Sequence, residues 1–206
     1  MSVSTCLSCH ARLERVPSHL ATHCSIRICI SGLGSVAFPV LLTWRLHQQQ
    51  LLGRFNPRVM VNRAVAFLLH SGPVTGEERW EEASGYSPST LAVIISAFIC
   101  AASFARTEQD SGTAAFLESY ADFLRAHVEE WTVTTQGSLV QGLPRYFVRL
   151  NPAKPGEVAA PGALDKAELK LTSQPPGCPQ SYPARDIIDA GFCNWCGTEF
   201  SPRMTR

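Results

Sequence analysis

The sequence predicts an all-α protein. Residues 35 to 131 hold four successive stretches in which apolar side chains recur at three- and four-residue spacing, and Gly, Pro or helix-capping residues mark the breaks between them. A strand-like pattern shows only at residues 145 to 150. With 206 residues, 45% of them hydrophobic and 17% charged, the chain can bury one full core or slightly more. Its net charge of +1 gives no electrostatic footprint for nucleic acid and no polybasic segment for a membrane surface, so neither is expected as a partner.

Residues 1 to 34 stand apart. They carry Cys6, Cys9, Cys24 and Cys29 with His10, His19 and His23, without sustained helix or strand period, and predict a poorly ordered segment. Residues 1 to 23 lack the apolar core of a signal peptide, which favours a cytoplasmic location. The first helix is read from Ala37, Phe38, Val40, Leu41, Leu42, Trp44, Leu46, Leu51 and Leu52, with Pro39 in its first turn and Gly53 as its stop. Asn56 as N-cap and Pro57 at the first helical position open the second. Its apolar residues are Val59, Val61, Ala64, Val65, Phe67, Leu68 and Leu69, and it ends before Gly72-Pro73.

A loop over residues 73 to 86 follows. Ser87 and Pro88 then start a third helix whose Leu91, Val93, Ile94, Ile95, Phe98, Ile99 and Cys100 are apolar on every side, which predicts a helix surrounded by protein. Its apolar run, residues 91 to 105, is shorter than the ~20 residues of a membrane span. The fourth helix, about residues 112 to 131, sets Phe116, Tyr120, Phe123, Leu124, Val128 and Trp131 on one stripe, with Glu118, Asp122, Arg125 and Glu129 largely opposite. Beyond the strand-like residues 145 to 150, residues 151 to 182 are rich in Pro, Gly and Ala and read as a surface excursion. Residues 183 to 189 read as the start of a further helix, interrupted by Gly191.

The loop holds the densest chemistry. Glu78-Arg79-Trp80-Glu81-Glu82, directly before Ala83-Ser84-Gly85-Tyr86-Ser87-Pro88-Ser89-Thr90, packs three carboxylates and an indole into five residues. Like charge and apolar surface both disfavour an ionised carboxylate, so Glu81 stands where a carboxylic acid could keep its proton. The same residues also suit a solvated loop whose acids favour the positive end of a helix dipole.

This run resembles glycoside hydrolase family 15, the glucoamylases and glucodextranases, in their prokaryotic-type branch. Trp131-Thr132-Val133-Thr134-Thr135, Tyr146-Phe147-Val148-Arg149 and Ser173-Gln174-Pro175-Pro176-Gly177 extend the likeness over about residues 35 to 192. The resemblance implies an (α/α)6 barrel, of which this chain would supply about four to five helices and a short strand-containing excursion. It also implies inverting hydrolysis of α-glucosidic bonds in an α-glucan or maltooligosaccharide, releasing glucose, with no cofactor and no metal. Carried over position by position, Glu81 is the general acid. Glu82 binds the sugar and helps keep Glu81 protonated, Trp80 contacts the sugar and shields the acid, and Glu78 supports the electrostatics; Tyr86 and Ser87 fix the loop to the helix.

Two departures qualify the likeness. Gly32-Leu33-Gly34-Ser35 stands where the family reads Trp, then Gln-x-Asp-Glu, before the match to Ala37-Phe38-Pro39-Val40. The family's catalytic base lies in a segment further along than these residues reach, and at about 24 residues per helix a twelve-helix barrel needs about 290 residues. The expectation is a partial barrel, truncated or inactive as a hydrolase, whose open faces promote self-association.

Cys6-Leu7-Ser8-Cys9 and Cys193-Asn194-Trp195-Cys196 could instead hold a structural zinc, which gives the alternative of a non-catalytic, zinc-stapled helical module. The last cluster has a second explanation. After Asp189-Ala190-Gly191-Phe192 the family continues Leu-x-Leu-Val-Arg-Tyr-Gly-Ile, and codons read out of frame across Phe192-Cys193, Asn194-Trp195 and Trp195-Cys196 yield Leu, Leu and Val. Residues 193 to 206 are thus expected to be an aberrant, frame-shifted tail.

Overall fold

Among the described residues four α-helices form the body: α1 (Leu33–Gln48), α2 (Arg58–Ser71), α3 (Pro88–Thr107) and α4 (Ser111–Thr132). They are joined by six short strands, β1 (Gly85–Tyr86), β2 (Val133–Thr134), β3 (Tyr146–Phe147), β4 (Asn151–Pro152), β5 (Glu168–Lys170) and β6 (Ser181–Pro183). The strands pair antiparallel as β1 with β4, β2 with β3 and β5 with β6. This computed structural model describes residues 32–76, 83–139, 141–159, 162–170, 175 and 177–189. Residues 1 to 31 and the proposed tail at 193 to 206 lie outside the described residues, and Cys6, Cys9, Cys193 and Cys196 with them.

Each helix buries the stripe its sequence spacing offers. In α1 the buried residues are Leu33, Ala37, Val40 and Thr43, and in α2 they are Val61, Ala64, Val65 and Leu68. Three- and four-residue steps keep such side chains on one face. α3 is the shared partner, packing against α1, α2 and α4. Leu91, Ile94, Ala97, Phe98 and Ala102 are at most 1% exposed, and the alanines let neighbouring backbones approach. Phe98 meets Tyr120 of α4 edge-on at 5.4 Å, and Phe104 meets Trp44 of α1 at 5.1 Å and 84°. Fully burying one such large side chain contributes about 1.5–3 kcal/mol.

The helix boundaries follow capping chemistry. α2 begins one residue later than the Asn-Pro pair predicts: Pro57 is its N-cap, its carbonyl accepting the Val61 N–H at 2.9 Å, while Asn56 Oδ1 accepts the Arg58 N–H at 3.0 Å. Asp110 opens α4 through two bonds from Thr113, N–H to Oδ1 at 3.0 Å and hydroxyl to Oδ2 at 2.7 Å. The C-terminus of α1 corrects the expectation that Gly53 stops it: the helix ends at Gln48. Gln50 turns left-handed at φ 59°, its N–H donates to His47, and the Leu51 N–H donates to Leu46. α3 ends in the same way, with Gln109 at φ 60° and the Asp110 N–H on the Ala105 carbonyl. Both are Schellman closures built on glutamine instead of glycine, so no glycine marks them in the sequence.

Pro39 also sits differently from expectation. α1 begins at Leu33, which leaves Pro39 inside the helix and not in its first turn. Its ring lies on the exposed side, where a missing backbone donor costs least. The expectation that α3 is surrounded by protein holds on one side only. Ile99 is 37% exposed and Val93, Ile95 and Cys100 are half-buried, because the three helices packed on α3 cover one side of it. At 20 residues and a mean hydropathy of 1.9, α3 is long and apolar enough to cross a membrane, so its length does not exclude a span. Half of it is buried against its neighbours, as in the core helix of a folded domain.

Residues 183 to 189 do not begin an α-helix. After β6 the chain makes one 3-10 turn, Ala184–Asp186, and then extends. Ile188 bridges Val148, the Arg149 N–H donates to Ile187 at 2.7 Å, and the Asp189 N–H donates to Phe147 at 3.1 Å. The backbone groups that would continue a helix are used as a strand partner.

Candidate active site

The four residues singled out by sequence, Glu78, Trp80, Glu81 and Glu82, lie outside the described residues. What surrounds their segment is defined. Thr75 and Gly85 exchange both backbone hydrogen bonds, at 2.9 and 3.0 Å, and so close a neck at the base of residues 76 to 84. The approach to the neck is buried: Val74 is 1% exposed and Thr75 is fully buried.

The exit from the neck is held more elaborately. Gly85 and Tyr86 pair with Pro152 and Asn151, and a Cβ at Gly85 would collide with the Asn151 carbonyl. Ser84 Oγ donates to the Ala153 carbonyl at 2.8 Å, and the Ala153 N–H returns to the Ser84 carbonyl at 3.3 Å. Tyr86 is fully buried, its ring 4.8 Å from that of Trp131, and its hydroxyl donates to the Glu157 carbonyl at 2.7 Å. Asn151 Nδ2 donates to the Trp131 carbonyl at 2.8 Å, which ties the same strand to the end of α4. Ser87 then opens α3, its Oγ accepting the Thr90 N–H at 3.5 Å and its carbonyl the Leu91 N–H at 2.9 Å. Ser87 thus joins the exit of the neck to α3, and Tyr86 joins it to the end of α4 and to residue 157.

One end of the helical body therefore collects the start of α3, the end of α4, the close of α2 and the strands. The start of α1 is there too: Leu33 Cδ1 lies 3.6 Å from where a Cβ on Gly72 would stand. Behind the neck the strand layer is stiffened by side chains. Asp165 accepts from the Thr134 hydroxyl at 2.6 Å, the Thr135 hydroxyl at 3.1 Å and the Thr135 N–H at 3.3 Å. Burial by itself would raise the Asp165 pKa, but these bonds and the nearby Gln136 N–H together bring it below the usual carboxylate range. The buried Tyr146 donates its hydroxyl to the Arg185 carbonyl at 2.6 Å and accepts the Ser138 N–H at 3.1 Å.

Thr75, Ala153 and Glu157 had no chemical mark in the sequence, because they act through backbone groups, and Asn151, which acts through its side-chain amide, stood in a stretch read only as a surface excursion. Only Gly85, directly after the acidic run, hinted at a close backbone approach. A cleft of about 150 Å³ lies at the opposite end of the helices, lined by Arg58, Val65, Phe104, Glu108 and Leu117 among others, and is separate from the neck. Among the described residues no group of three or more His, Cys, Asp or Glu side chains is arranged to hold a metal ion.

Comparison with known proteins converges on one family. The sequence profile of Glycosyl hydrolases family 15 matches residues 35–169. A glucoamylase of Clostridium sp. (strain G0005) is 33% identical over 118 residues, covering 57% of this chain and 16% of that protein. The crystal structure of a bacterial glucoamylase complexed with acarbose superposes with a TM-score of 0.59 at 28% identity, over 77% of this chain and 21% of that one. The chain spans about a fifth, or less, of the length of these relatives.

Proposed function

This chain belongs to glycosyl hydrolases family 15, and from that premise we propose that it carries the acid half of a glucoamylase-type site acting on α-glucans or maltooligosaccharides. Glu81 is the general acid. It protonates the glycosidic oxygen as the bond to the leaving sugar breaks, while Glu82 binds the sugar and by its charge holds the proton on Glu81. Trp80 packs on the sugar and keeps water from the acid, and Glu78 adds to the negative field that favours the protonated form. In an inverting enzyme the second carboxylate stands ~6.5–9.5 Å away and activates water on the opposite face of the ring. The resemblance carries no residue of this chain into that role. The four helices are read as part of the (α/α)6 toroid, with the neck at its substrate end.

The observation that carries this reading is the neck itself. Thr75 and Gly85 pinch the chain immediately outside the acidic run, and Tyr86, Ser87 and Asn151 fasten its exit to α3 and α4. A solvated acidic loop needs no such anchorage. An acid that must meet one glycosidic oxygen needs its backbone held, since rate falls steeply with misplacement.

The test replaces the matching stretch of the Clostridium glucoamylase with residues 35–169 of this chain, so that the remainder of the relative is present. The chimera is expected to release glucose from maltooligosaccharides, and Glu81→Gln to lower kcat by about 10²–10⁴-fold, the usual share of a general acid. The 206-residue chain alone is expected to release none. A chimera as active with Gln as with Glu at position 81 refutes the assignment, and glucose release by the chain alone refutes the half-site reading.

A further inference from the structure

We propose that the outer face of α1 is a docking surface for a second copy of this chain, which meets it with the outer face of α4. The large apolar side chains Phe38, Leu42, Leu51, Phe55 and Val59 all stay exposed on α1, on the turn after it and at the start of α2. Phe38 and Leu42 share one stripe of α1 with Ser35 and Arg45, since steps of three and four residues keep side chains on one face of a helix. All four are exposed, and Arg45 makes no ion pair among the described residues. The charge around the stripe has one sign. From Leu33 to Ser71 the chain carries Arg45, Arg54, Arg58 and Arg63 and no aspartate or glutamate. A partner for this face must offer an anionic surface with room for two large apolar side chains.

α4 offers both. Its exposed stripe repeats the same steps through Ala115, Ser119, Asp122 and Ala126, so its side chains are small where those of α1 are large. The helix carries Glu118, Asp122, Glu129 and Glu130 against the single Arg125. Glu118 and Glu129 are occupied by Arg106 and Arg145. Asp122 holds Arg125 only at 3.8 Å with both side chains well exposed, and Glu130 makes no ion pair among the described residues. Phe38 and Leu42 therefore fit the groove along the small residues, and Arg45 meets carboxylates. α1 set against α1 of another copy satisfies neither requirement, because it brings large side chains onto large ones and arginine-rich surfaces together.

The two stripes are different patches. α1 and α4 each turn a buried stripe to α3, with Trp44 on Phe104 and Tyr120 on Phe98, so their exposed stripes face away from it. Contact between different patches is heterologous, and a copy that docks through α1 leaves its own α4 open for the next. Association therefore runs past two copies.

The test closes one face at a time in the 206-residue chain and follows mass by sedimentation equilibrium. Phe38→Glu with Leu42→Glu closes α1. Ser119→Arg with Ala126→Arg closes α4 by filling its groove and opposing its charge. All four positions are exposed, so the core is untouched, and circular dichroism like that of the wild type keeps misfolding from passing as a monomer. The wild type is expected to exceed the mass of a dimer as concentration rises, and each double variant to stay a monomer. An equal mixture of the two variants is expected to form a dimer and go no further, since one brings an open α4 and the other an open α1. A wild type that stays monomeric or stops at a dimer overturns the proposal. So does a Ser119→Arg, Ala126→Arg chain that associates like the wild type, or a pair of natively folded variants that do not combine when mixed.

Discussion

Replacing Gly85 by alanine tests the neck directly. Gly85 faces the backbone of Asn151 so closely that a Cβ would overlap the Asn151 carbonyl oxygen, lie 2.9 Å from its carbon and meet Leu150 Cγ at 3.0 Å. Two of these obstacles are backbone, which cannot rotate away, so β1 and β4 must separate. Separation sacrifices either the Gly85–Pro152 pairing or the two Thr75 bonds on the other side. Two backbone hydrogen bonds are worth about 1–3 kcal/mol net, and overpacking a filled site costs about 1–3 kcal/mol. The expected loss is about 2–6 kcal/mol, or a fall in Tm of about 4–24 °C for a chain of this size. Gly76→Ala is the control, at the other edge of the same loop, with nothing within 4 Å of an added Cβ. Both substitutions restrict the unfolded chain alike, so that contribution cancels in the comparison. Urea unfolding followed by circular dichroism should show the full loss for Gly85→Ala and a change within about 0.5 kcal/mol for Gly76→Ala. Equal midpoints for the two variants would refute the close approach of β1 to β4.

Two further outcomes are expected. The bonds that depress the Asp165 pKa stabilise the fold fully above the unfolded value of about 3.9 and are lost as pH falls through the lower folded value. The stability difference between wild type and Asp165→Asn should therefore shrink as pH is lowered from 5 to below 3, measured by urea unfolding at each pH; a difference constant over that window would contradict it. Phe38 and Leu42 on the outer face of α1 are 58% and 61% exposed, one helical turn apart. The 206-residue chain should associate with rising concentration in sedimentation velocity, and Phe38→Glu with Leu42→Glu should return it to a monomer; a wild type that is monomeric at all concentrations removes the case for that face.

The helices were legible because each is decided locally. Asn56-Pro57 and Ser87-Pro88 name their starts, and four-residue spacing of apolar side chains names their buried faces. The ends of α1 and α3 were not legible, because glutamine pays a modest cost to turn left-handed where tertiary packing asks it to, and nothing in its neighbours announces this. The fate of residues 183 to 189 was hidden for a related reason. Arg-Asp-Ile-Ile-Asp suits a first helical turn, yet the backbone of residues 147 to 149, from the end of β3 onward, offers partners for the same N–H and C=O groups, and that choice depends on contacts far along the chain. At the candidate site, residue types marked the acidic run with Trp80 inside it. The holding elements pair the side chains of Ser84, Tyr86 and Asn151 with backbone groups that every sequence possesses, a threonine amide and the carbonyls of residues 131, 153 and 157.

The excursion changes meaning in this light. Residues 151 to 157 read as filler, but they form the surface on which the exit from the acidic run rests, and Leu150 and Leu169 bury a small core beneath Ala83 and Tyr182. The bonds that hold the exit strand come from residues 75 to 157, and the small core beneath it also draws on Tyr182 and Ile187. A general acid and its base impose different demands on a fold. The acid must hold a proton against its own environment, which requires crowding by near neighbours in the chain, whereas the base needs distance from the acid and can be delivered by a remote segment. On the proposed assignment of Glu81, a stretch covering a fifth of a relative supplies the acid without the base. The chimera with Glu81→Gln separates these two properties, because it restores the remote carboxylate without altering the acid's own surroundings.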